Sequence, residues 1–393
     1  MKLKEINIYI HIPFCKSKCN YCSFYSVPIS KSKYNPAYFK YYFDLLIKEM
    51  KDMSQKFSLC DSLVNGIYFG GGTPSIMPAD FFSGLLRYIE NNFKIMGDAE
   101  ITVEINPESG DFEKLSALKS FGVNRLSIGA QSLDPGVLRT AGRIHDKKDI
   151  YDAVNNAKKA GFKNISLDLI IGLPKQTENV FHSDIEQILS MEPKHISAYM
   201  LSIENNTEFY KIYDKKNGTT FASEECIAGY YEILCEFLDK ADYVHYEISN
   251  FSKPGYESRH NINYWKRGEY LGLGPSASSF FKIRDKEEIR KTNVSDLSIY
   301  ALNILDKSEN GTKTDFVEVL TEKDKINEEI FLSLRTNCGI SLKRLIEFVN
   351  PDIINNFINA GLMQIKKCRL NDNIALTVKG MLLSSEIFAK IMV

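Results

Sequence analysis

Residues 9–24 read YIHIPFCKSKCNYCSF, in which Cys15, Cys19 and Cys22 form the spacing CxxxCxxC directly after an apolar, strand-like run. Three closely spaced thiols are one fewer than the four thiolates that a [4Fe–4S] cluster usually takes. The iron without a protein thiolate keeps a position open for another ligand, as a catalytic zinc ion does. The spacing therefore predicts a cluster held by these three cysteines, with one iron free to bind a substrate or cosubstrate.

Two other interpretations of the three thiols remain open from spacing alone. A structural zinc site normally adds a second CxxC-type unit or closely spaced histidines. The remaining cysteines are scattered along the chain, at Cys60, Cys226, Cys235, Cys338 and Cys368, and provide no such unit. Three unrelated buried thiols are the other interpretation, because free cysteine often serves as a small core residue.

Strand-like and helical runs alternate six times between residues 6 and 201. This alternation predicts parallel βαβ units with helices covering the sheet. Six repeats are too few for a closed eight-stranded barrel, so we expect an open, partial (β/α)6 barrel of TIM-like form. Glu104 and Gln131 each end a strand-like run, and Asp168 lies within another. These residues are placed for a site at the carboxyl ends of the strands.

The pattern changes after about residue 205, which predicts further units behind the barrel. A stretch rich in tyrosine and glycine ends near Phe281, and a Lys-rich segment from Lys282 to about Lys325 is predicted as a connection with some helix. Helical runs and a short hairpin in the tail are typical of a winged-helix-like α+β domain. We expect a core barrel over 1–240, an extension packing on it over 241–300, and the C-terminal domain over 301–393.

Composition restricts the class of protein. A net charge of −1 and the absence of a basic face in the tail argue against nucleic-acid binding, which needs clustered Lys and Arg. No apolar run reaches the roughly 18 to 20 residues that span a bilayer. The first ten residues, MKLKEINIYI, have no signal-peptide core. We therefore expect a cytoplasmic protein with reduced thiols.

The cysteine motif, together with FGGGTPS at 69–75 and LDLIIGLPKQT at 167–177, resembles the radical S-adenosylmethionine (SAM) superfamily. Within it, the chain is similar to the oxygen-independent coproporphyrinogen III oxidase group over most of its first 280 residues. The resemblance implies a partial barrel, a [4Fe–4S] cluster on Cys15, Cys19 and Cys22, and SAM on the fourth iron. It also implies an electron donor for the cluster.

The resemblance further implies which residues bind SAM, and each has suitable chemistry. Glycines 70–72 allow backbone amides to approach a ligand closely, although they could equally form the turn after a strand. Glu104 or Asp168 would take the ribose or ammonium group, with a structural ion pair as the alternative, and Arg143 would hold the carboxylate. Tyr21 would pack on adenine or shield the cluster. The full predicted set is Tyr9, Tyr21, Gly71, Gly72, Thr73, Glu104, Gln131, Arg143, Asp168 and Ser202.

A second motif, HNINYW at 260–265, points to haem. Histidine is a common axial ligand of haem iron, and neighbouring aromatic rings can wall a porphyrin. From composition alone a hydrogen-bonded surface histidine is more common, but HNxxYW resembles the haem-chaperone branch of the group. The resemblance implies that His260, Asn261, Tyr264 and Trp265 bind haem.

Two functions remain open: a haem chaperone, and an oxidase that converts coproporphyrinogen III to protoporphyrinogen IX in porphyrin biosynthesis. The oxidase itself has a fourth cysteine where this chain has Phe24, and a longer arm than the 14 residues that precede Cys15. Both features favour the chaperone. Its expected partners are haem, an unidentified acceptor protein that could be membrane-associated, and a second copy of the chain. The sequence assigns no catalytic residue.

Overall fold

The computed structural model describes residues 4–29, 35–215, 221–283, 287–305, 315–367 and 372–392. The first two-thirds of these residues build strands and helices in alternation. In chain order the elements are β1 (Glu5–Ile12), β2 (Phe14–Cys15), β3 (Val27–Pro28), α1 (Pro36–Lys56), β4 (Leu63–Gly71), α2 (Ala79–Asn92), β5 (Lys94–Ile105), α3 (Phe112–Ser120), β6 (Arg125–Gln131), α4 (Pro135–Thr140), α5 (Lys147–Lys159), β7 (Asn164–Ile171), α6 (Glu178–Ser190), β8 (His195–Met200), α7 (Glu208–Lys215) and α8 (Glu224–Lys240).

The predicted partial barrel is confirmed. Strands β1, β4, β5, β6, β7 and β8 lie side by side and are all parallel. Each alternates between two environments, as strand geometry requires. In β1, Ile6, Ile8, Ile10 and Ile12 are buried in the apolar core. Tyr9 and His11 alternate with them, and Tyr9 contacts Tyr68 of β4. The inner face of the barrel is therefore lined with polar and aromatic side chains.

Local signals mark the ends of the helices. Asn35 caps α1 and Pro36 begins it, while Asp146 and Asp149 form a capping box at α5. Gly122 and Gly161 follow α3 and α5 with positive φ angles of 96° and 87°. That conformation ends a helix and suits glycine.

The sheet extends beyond the six barrel strands at both edges. The next elements are β9 (Val244–Glu247), β10 (Asn250–Ser252), α9 (Arg259–Trp265), β11 (Glu269–Leu273), β12 (Ser278–Lys282), β13 (Glu288–Thr292), α10 (Leu297–Leu305) and β14 (Phe316–Val319). Strands β10 and β9 continue from β8, and β11 to β14 continue from β1. The Lys-rich segment predicted as a connection thus contributes β13 and β14 as well as α10. β13 (EIRKT) is mostly polar and half-buried, and β14 (FVEV) has four residues, so neither gave a clear strand pattern in this charged segment.

The C-terminal part has the predicted order of helices followed by a hairpin. It contains α11 (Glu322–Leu334), β15 (Ile340–Ser341), α12 (Leu342–Leu345), α13 (Pro351–Asn359), β16 (Met363–Lys366), β17 (Asn373–Leu376), α14 (Val378–Leu382) and α15 (Ser384–Ile391). A small antiparallel sheet has the order β15-β17-β16. The predicted hairpin turn includes Asn371, which lies outside the described residues. The division into 1–240, 241–300 and 301–393 stays a prediction.

None of the helices in the described ranges combines the length and apolar character needed to cross a bilayer.

Candidate cluster and cofactor site

A pocket of about 410 Å³ opens at the carboxyl ends of the barrel strands. It brings together most of the residues that the sequence predicted for cluster and SAM. Those lining it are Cys15, Cys19, Tyr21, Cys22, Gly71, Gly72, Thr73, Glu104, Gln131, Arg143, Asp168 and Ser202. Parallel strands place their carboxyl ends at one edge of a sheet, which explains why residues up to 187 positions apart meet there.

The three cysteines lie on β2 and on the loop that follows it. Cys15 ends β2 and accepts a hydrogen bond from Thr73 Oγ1 at 3.4 Å from its Sγ. The amide of Cys22 donates to the carbonyl of Cys19 at 3.2 Å. Asn20 anchors the loop, since its amide and its side chain donate to the carbonyls of Ala141 and Thr140. The loop is thus held against α4 from within the cysteine motif.

The thiol chemistry fits a cluster. All three cysteines are free thiols, and burial raises the pKa of Cys15 to about 11 and also raises the pKa of Cys22. Thiolate is the form that binds metal, and binding to iron offsets the burial that disfavours it. In the described ranges no three Cys, His, Asp or Glu side chains are grouped to hold a single metal ion. A cluster makes no such demand, because each thiolate binds a different iron.

Arg143 contributes positive charge next to the cysteines. Its Nη1 donates to Cys19 Sγ at 3.3 Å, and its Nη2 donates to Asn106 Oδ1 at 2.9 Å and to the Gly129 carbonyl at 3.0 Å. The neighbouring Tyr21 and Cys19 raise the pKa of Arg143 despite its burial. The guanidinium therefore faces the Cys19 thiol directly, and part of its hydrogen-bonding capacity is already used within the protein.

The glycine loop lines the pocket, but the amides of Gly71, Gly72 and Thr73 are hydrogen-bonded within the protein. The amides of Gly72 and Thr73 donate to the carbonyls of Ile12 and Phe14, both at 2.8 Å. The amide of Gly71 donates to Glu104 Oε2 at 3.1 Å. Glycine is needed for a steric reason instead. A Cβ on Gly72 would lie 2.8 Å from the Phe14 carbonyl oxygen, so the end of β4 could not approach the cysteine strand so closely.

Both carboxylate oxygens of Glu104 accept a hydrogen bond. Tyr68 Oη donates to Oε1 at 2.8 Å, opposite the Gly71 amide on Oε2. Burial raises the pKa of Glu104 to about 7, and the hydrogen bond from Tyr68 opposes that rise. A hydroxyl or ammonium group arriving in the pocket would meet a fixed acceptor.

Asp168 is the second carboxyl group of the pocket. Ser127 Oγ donates to it at 3.0 Å and Ser166 Oγ at 3.1 Å. Burial raises the pKa of Asp168 above its usual value. Arg125 forms a buried ion pair with Glu100 at 4.0 Å and also favours the charged form of Asp168.

The other pocket residues differ in how they are held. Gln131 adopts a positive φ of 67°, a conformation unusual for a residue with a side chain and often found at functional sites. Ser202 lies at the rim and donates to Glu204 at 2.6 Å. Tyr21 packs against Phe209, with ring centroids 6.5 Å apart.

Tyr9 is placed differently from the rest of the predicted SAM set. It does not line the pocket; its ring stacks with Tyr68 at 6.1 Å and with His260 at 5.8 Å. Its hydroxyl contacts Nδ1 of His11 at 3.0 Å. Tyr9 therefore lies inside the barrel, below the pocket.

The HNINYW segment forms helix α9, whose amino end is bound to the barrel interior. The amide of Arg259 donates to Glu100 Oε1 at 3.1 Å, and Arg259 Nη2 pairs with Asp98 at 3.0 Å. Glu100 precedes Glu104 by four residues on β5, about 13 Å at the usual rise of a strand. Helix α9 thus lies toward the amino ends of the strands, away from the cysteines.

Within α9, His260 points inward and is 5% exposed. It stacks on Tyr68 at 4.5 Å and meets the edge of Tyr264 at 4.6 Å. Burial lowers the pKa of His260 to about 3, and its Nδ1 has no hydrogen-bond partner among the described residues. Asn261 and Trp265 are half-buried, and the Trp265 Nε1 likewise lacks a partner there.

Sequence reasoning missed Tyr68 and Asn106, which also line the pocket. Tyr68 was hidden inside the apolar run NGIYF, where an aromatic residue is ordinary for a strand. Its position two residues before Gly70 was the available signal, because every second residue of a strand lies on the same face of the sheet. A Cβ on Gly70 would lie 2.9 Å from the Tyr68 ring, so this glycine gives the ring its space.

Comparison with known proteins identifies the family of the chain. Residues 9–188 match the model of the Radical SAM superfamily. A Lactococcus lactis protein named Heme chaperone HemW is 34% identical over 99% of this chain and 98% of its own length. The Bacillus subtilis protein of that name is 34% identical over 97% of both chains. The solved structure of coproporphyrinogen III oxidase (HemN) from Escherichia coli has a TM-score of 0.80 at 23% identity, covering 99% of this chain and 90% of its own, which shows a shared fold. This chain therefore belongs to the radical SAM superfamily and, within it, to the family of the HemW proteins.

Proposed function

We propose that this protein is a haem chaperone, which binds haem through helix α9 and passes it to an acceptor protein. The observation that carries the proposal is the Nδ1 of the buried His260, which has no hydrogen-bond partner among the described residues. The names of the full-length relatives in Lactococcus lactis and Bacillus subtilis support it.

An unpaired polar atom in a protein interior needs a reason, because leaving it unsatisfied costs about 1–3 kcal/mol. The low pKa of His260 keeps the imidazole neutral, which is the form that binds metal. Tyr264 lies one helical turn after His260 and supports its edge. Because His260 is 5% exposed, haem binding must be accompanied by movement of α9 or of the rings that cover it.

The pocket at the other end of the barrel supports the cofactor part of the proposal. Cys15, Cys19 and Cys22 would hold a [4Fe–4S] cluster, which together with SAM supplies one-electron chemistry. Glu104 and Asp168 offer acceptors for the hydroxyl and ammonium groups of SAM, and Arg143 places positive charge at Cys19. We further propose an electron donor for the cluster and a homodimer.

The test uses full-length protein whose cluster has been reconstituted anaerobically. Haem is titrated into the unmutated protein and into His260→Ala, and the Soret band is followed. We expect a saturable Soret change that is lost or shifted in His260→Ala, with the iron and sulfide content unchanged. His182→Ala, on the partly exposed face of α6, is the matched control and should bind haem normally.

The same reconstituted sample is then incubated with coproporphyrinogen III, a reductant and SAM. The chaperone proposal expects no conversion to protoporphyrinogen. Conversion, combined with an unaltered haem affinity in His260→Ala, would show that the protein is the oxidase instead.

A further inference from the structure

Helix α9 meets the C-terminal part of the chain at Arg335. This residue caps the end of α11, and its guanidinium lies over the Trp265 ring, 4.9 Å from the ring centroid. Backbone hydrogen bonds hold the contact in place. The amide of Ile248 donates to the Arg335 carbonyl at 3.1 Å, and the amide of Asn337 donates to the Tyr246 carbonyl at 2.9 Å. The arginine is therefore presented to α9 by a fixed backbone.

Arg335 forms no salt bridge with a carboxylate in the described part of the chain, although it interacts electrostatically with Glu247. Its Nε is buried and makes no hydrogen bond there, and the Nε1 of Trp265 beneath it is buried and unpaired as well. Glu247 is the nearby carboxyl group. Its oxygens accept hydrogen bonds from Asn250 and Ser249, and burial raises its pKa although Arg335 opposes that rise.

A half-buried guanidinium that forms no salt bridge is stabilised when a ligand supplies a carboxylate. Haem carries two propionate groups at one edge of the macrocycle, and a planar guanidinium binds a carboxylate through two parallel hydrogen bonds. Trp265 under the guanidinium fixes its plane by cation–π stacking. We propose that Arg335 and Trp265 form the subsite that binds a haem propionate, so that the C-terminal part of the chain completes the haem site. This inference rests on the proposed haem binding and adds a residue that HNINYW does not contain.

The test compares haem with haem dimethyl ester, in which both propionates are esterified and uncharged. Both ligands are titrated into the reconstituted full-length protein and into Arg335→Gln, Arg335→Lys and Arg344→Gln. Arg344 is the matched control, because it is an arginine of the same region already paired with Glu329 and Glu347.

We expect Arg335→Gln to weaken haem binding by about 10- to 100-fold, the effect of one charge-assisted contact. The Soret position should stay unchanged, because His260 is still present. The ester should bind Arg335→Gln as it binds the unmutated protein, Arg335→Lys should recover part of the haem affinity, and Arg344→Gln should behave normally.

Equal losses for haem and for its ester in Arg335→Gln would overturn the inference, since Arg335 would then act by packing alone. An unchanged haem affinity in Arg335→Gln would overturn it too. Failure of the unmutated protein to bind haem would reject the chaperone proposal itself and the subsite with it.

Discussion

The imidazole of His260 stacks on the phenol ring of Tyr68, with ring centroids 4.5 Å apart and planes 23° apart. At its other end the Tyr68 hydroxyl donates to Glu104 at 2.8 Å, and both residues line the pocket that contains the cysteines. One side chain therefore separates the candidate haem ligand from the candidate SAM site. The conformation with a complete pocket is also the one in which His260 is buried.

Because one conformation completes the pocket and hides His260, SAM and haem should oppose each other's binding. A ligand that favours one state lowers affinity for a ligand that needs the other, and the effect is reciprocal. We expect saturating SAM to weaken haem binding by about 5- to 150-fold, the usual range of such coupling. Soret titrations with and without SAM, and calorimetric titrations of SAM with and without haem, measure both directions.

The coupling should depend on the hydroxyl of Tyr68. Tyr68→Phe keeps the stacked ring but removes the bond to Glu104, so the effect of SAM on haem affinity should shrink while haem still binds. Tyr243→Phe also loses a buried hydroxyl, one bonded to the Pro193 carbonyl, and should retain the coupling. If the haem affinity of the unmutated protein were the same with and without SAM, this prediction would be wrong, but the proposal that the protein binds haem would stand.

The cysteine assignment predicts a selective loss of iron. Cys15→Ala, Cys19→Ala or Cys22→Ala should abolish cluster assembly, because only two protein thiolates would remain. Cys60→Ala and Cys226→Ala remove exposed thiols and should leave the iron and sulfide content unchanged after reconstitution. Iron loss from Cys60→Ala would mean that the ligand set is wrong.

Gly72→Ala should destabilise the candidate cluster site, although Gly72 is not one of its predicted ligands. The added methyl would lie 2.8 Å from the Phe14 carbonyl oxygen and push the end of β4 away from the cysteine strand. Such overpacking costs about 1–3 kcal/mol, and it would displace Thr73 from Cys15. Urea unfolding and iron content measure the two effects. Gly97→Ala in β5, where a Cβ has no neighbour within 4 Å, should leave both unchanged.

Buried neutral histidines should make the protein less stable in mild acid. Burial lowers the pKa of His245 from 6.5 to about 4. Between these pH values His245 is therefore protonated in the unfolded state but neutral in the folded state. The free energy of unfolding should therefore fall as the pH drops from 6.5 toward 4, by up to about 1.4 kcal/mol per pH unit for this residue. Urea unfolding of His245→Gln at several pH values should show a shallower slope than the unmutated protein. An equal slope would show that His245 is protonated in the folded state.

Short-range patterns were enough to predict the cysteine motif and the barrel. CxxxCxxC fixes its own ligand spacing, and the alternation of strand-like and helical runs reflects burial of every second strand residue and of one helix face. The strands of the Lys-rich segment were missed because β13 is mostly polar and β14 is a four-residue strand at the sheet edge, too short to show an alternating pattern. Strand pairing there comes from backbone hydrogen bonds to neighbours distant in sequence.

The sequence by itself determined which residue types reach the pocket, since the carboxyl ends of parallel strands must converge. Only the tertiary structure decided how they are used. In the folded chain the amides of Gly72 and Thr73 donate to the carbonyls of Ile12 and Phe14. Tyr68 lies between Glu104 and His260. Arg335 lies over Trp265, which is 70 residues away in the sequence. These relationships are distances between side chains on separate elements. They depend on strand register and on the docking of α11 against α9, which no local periodicity encodes.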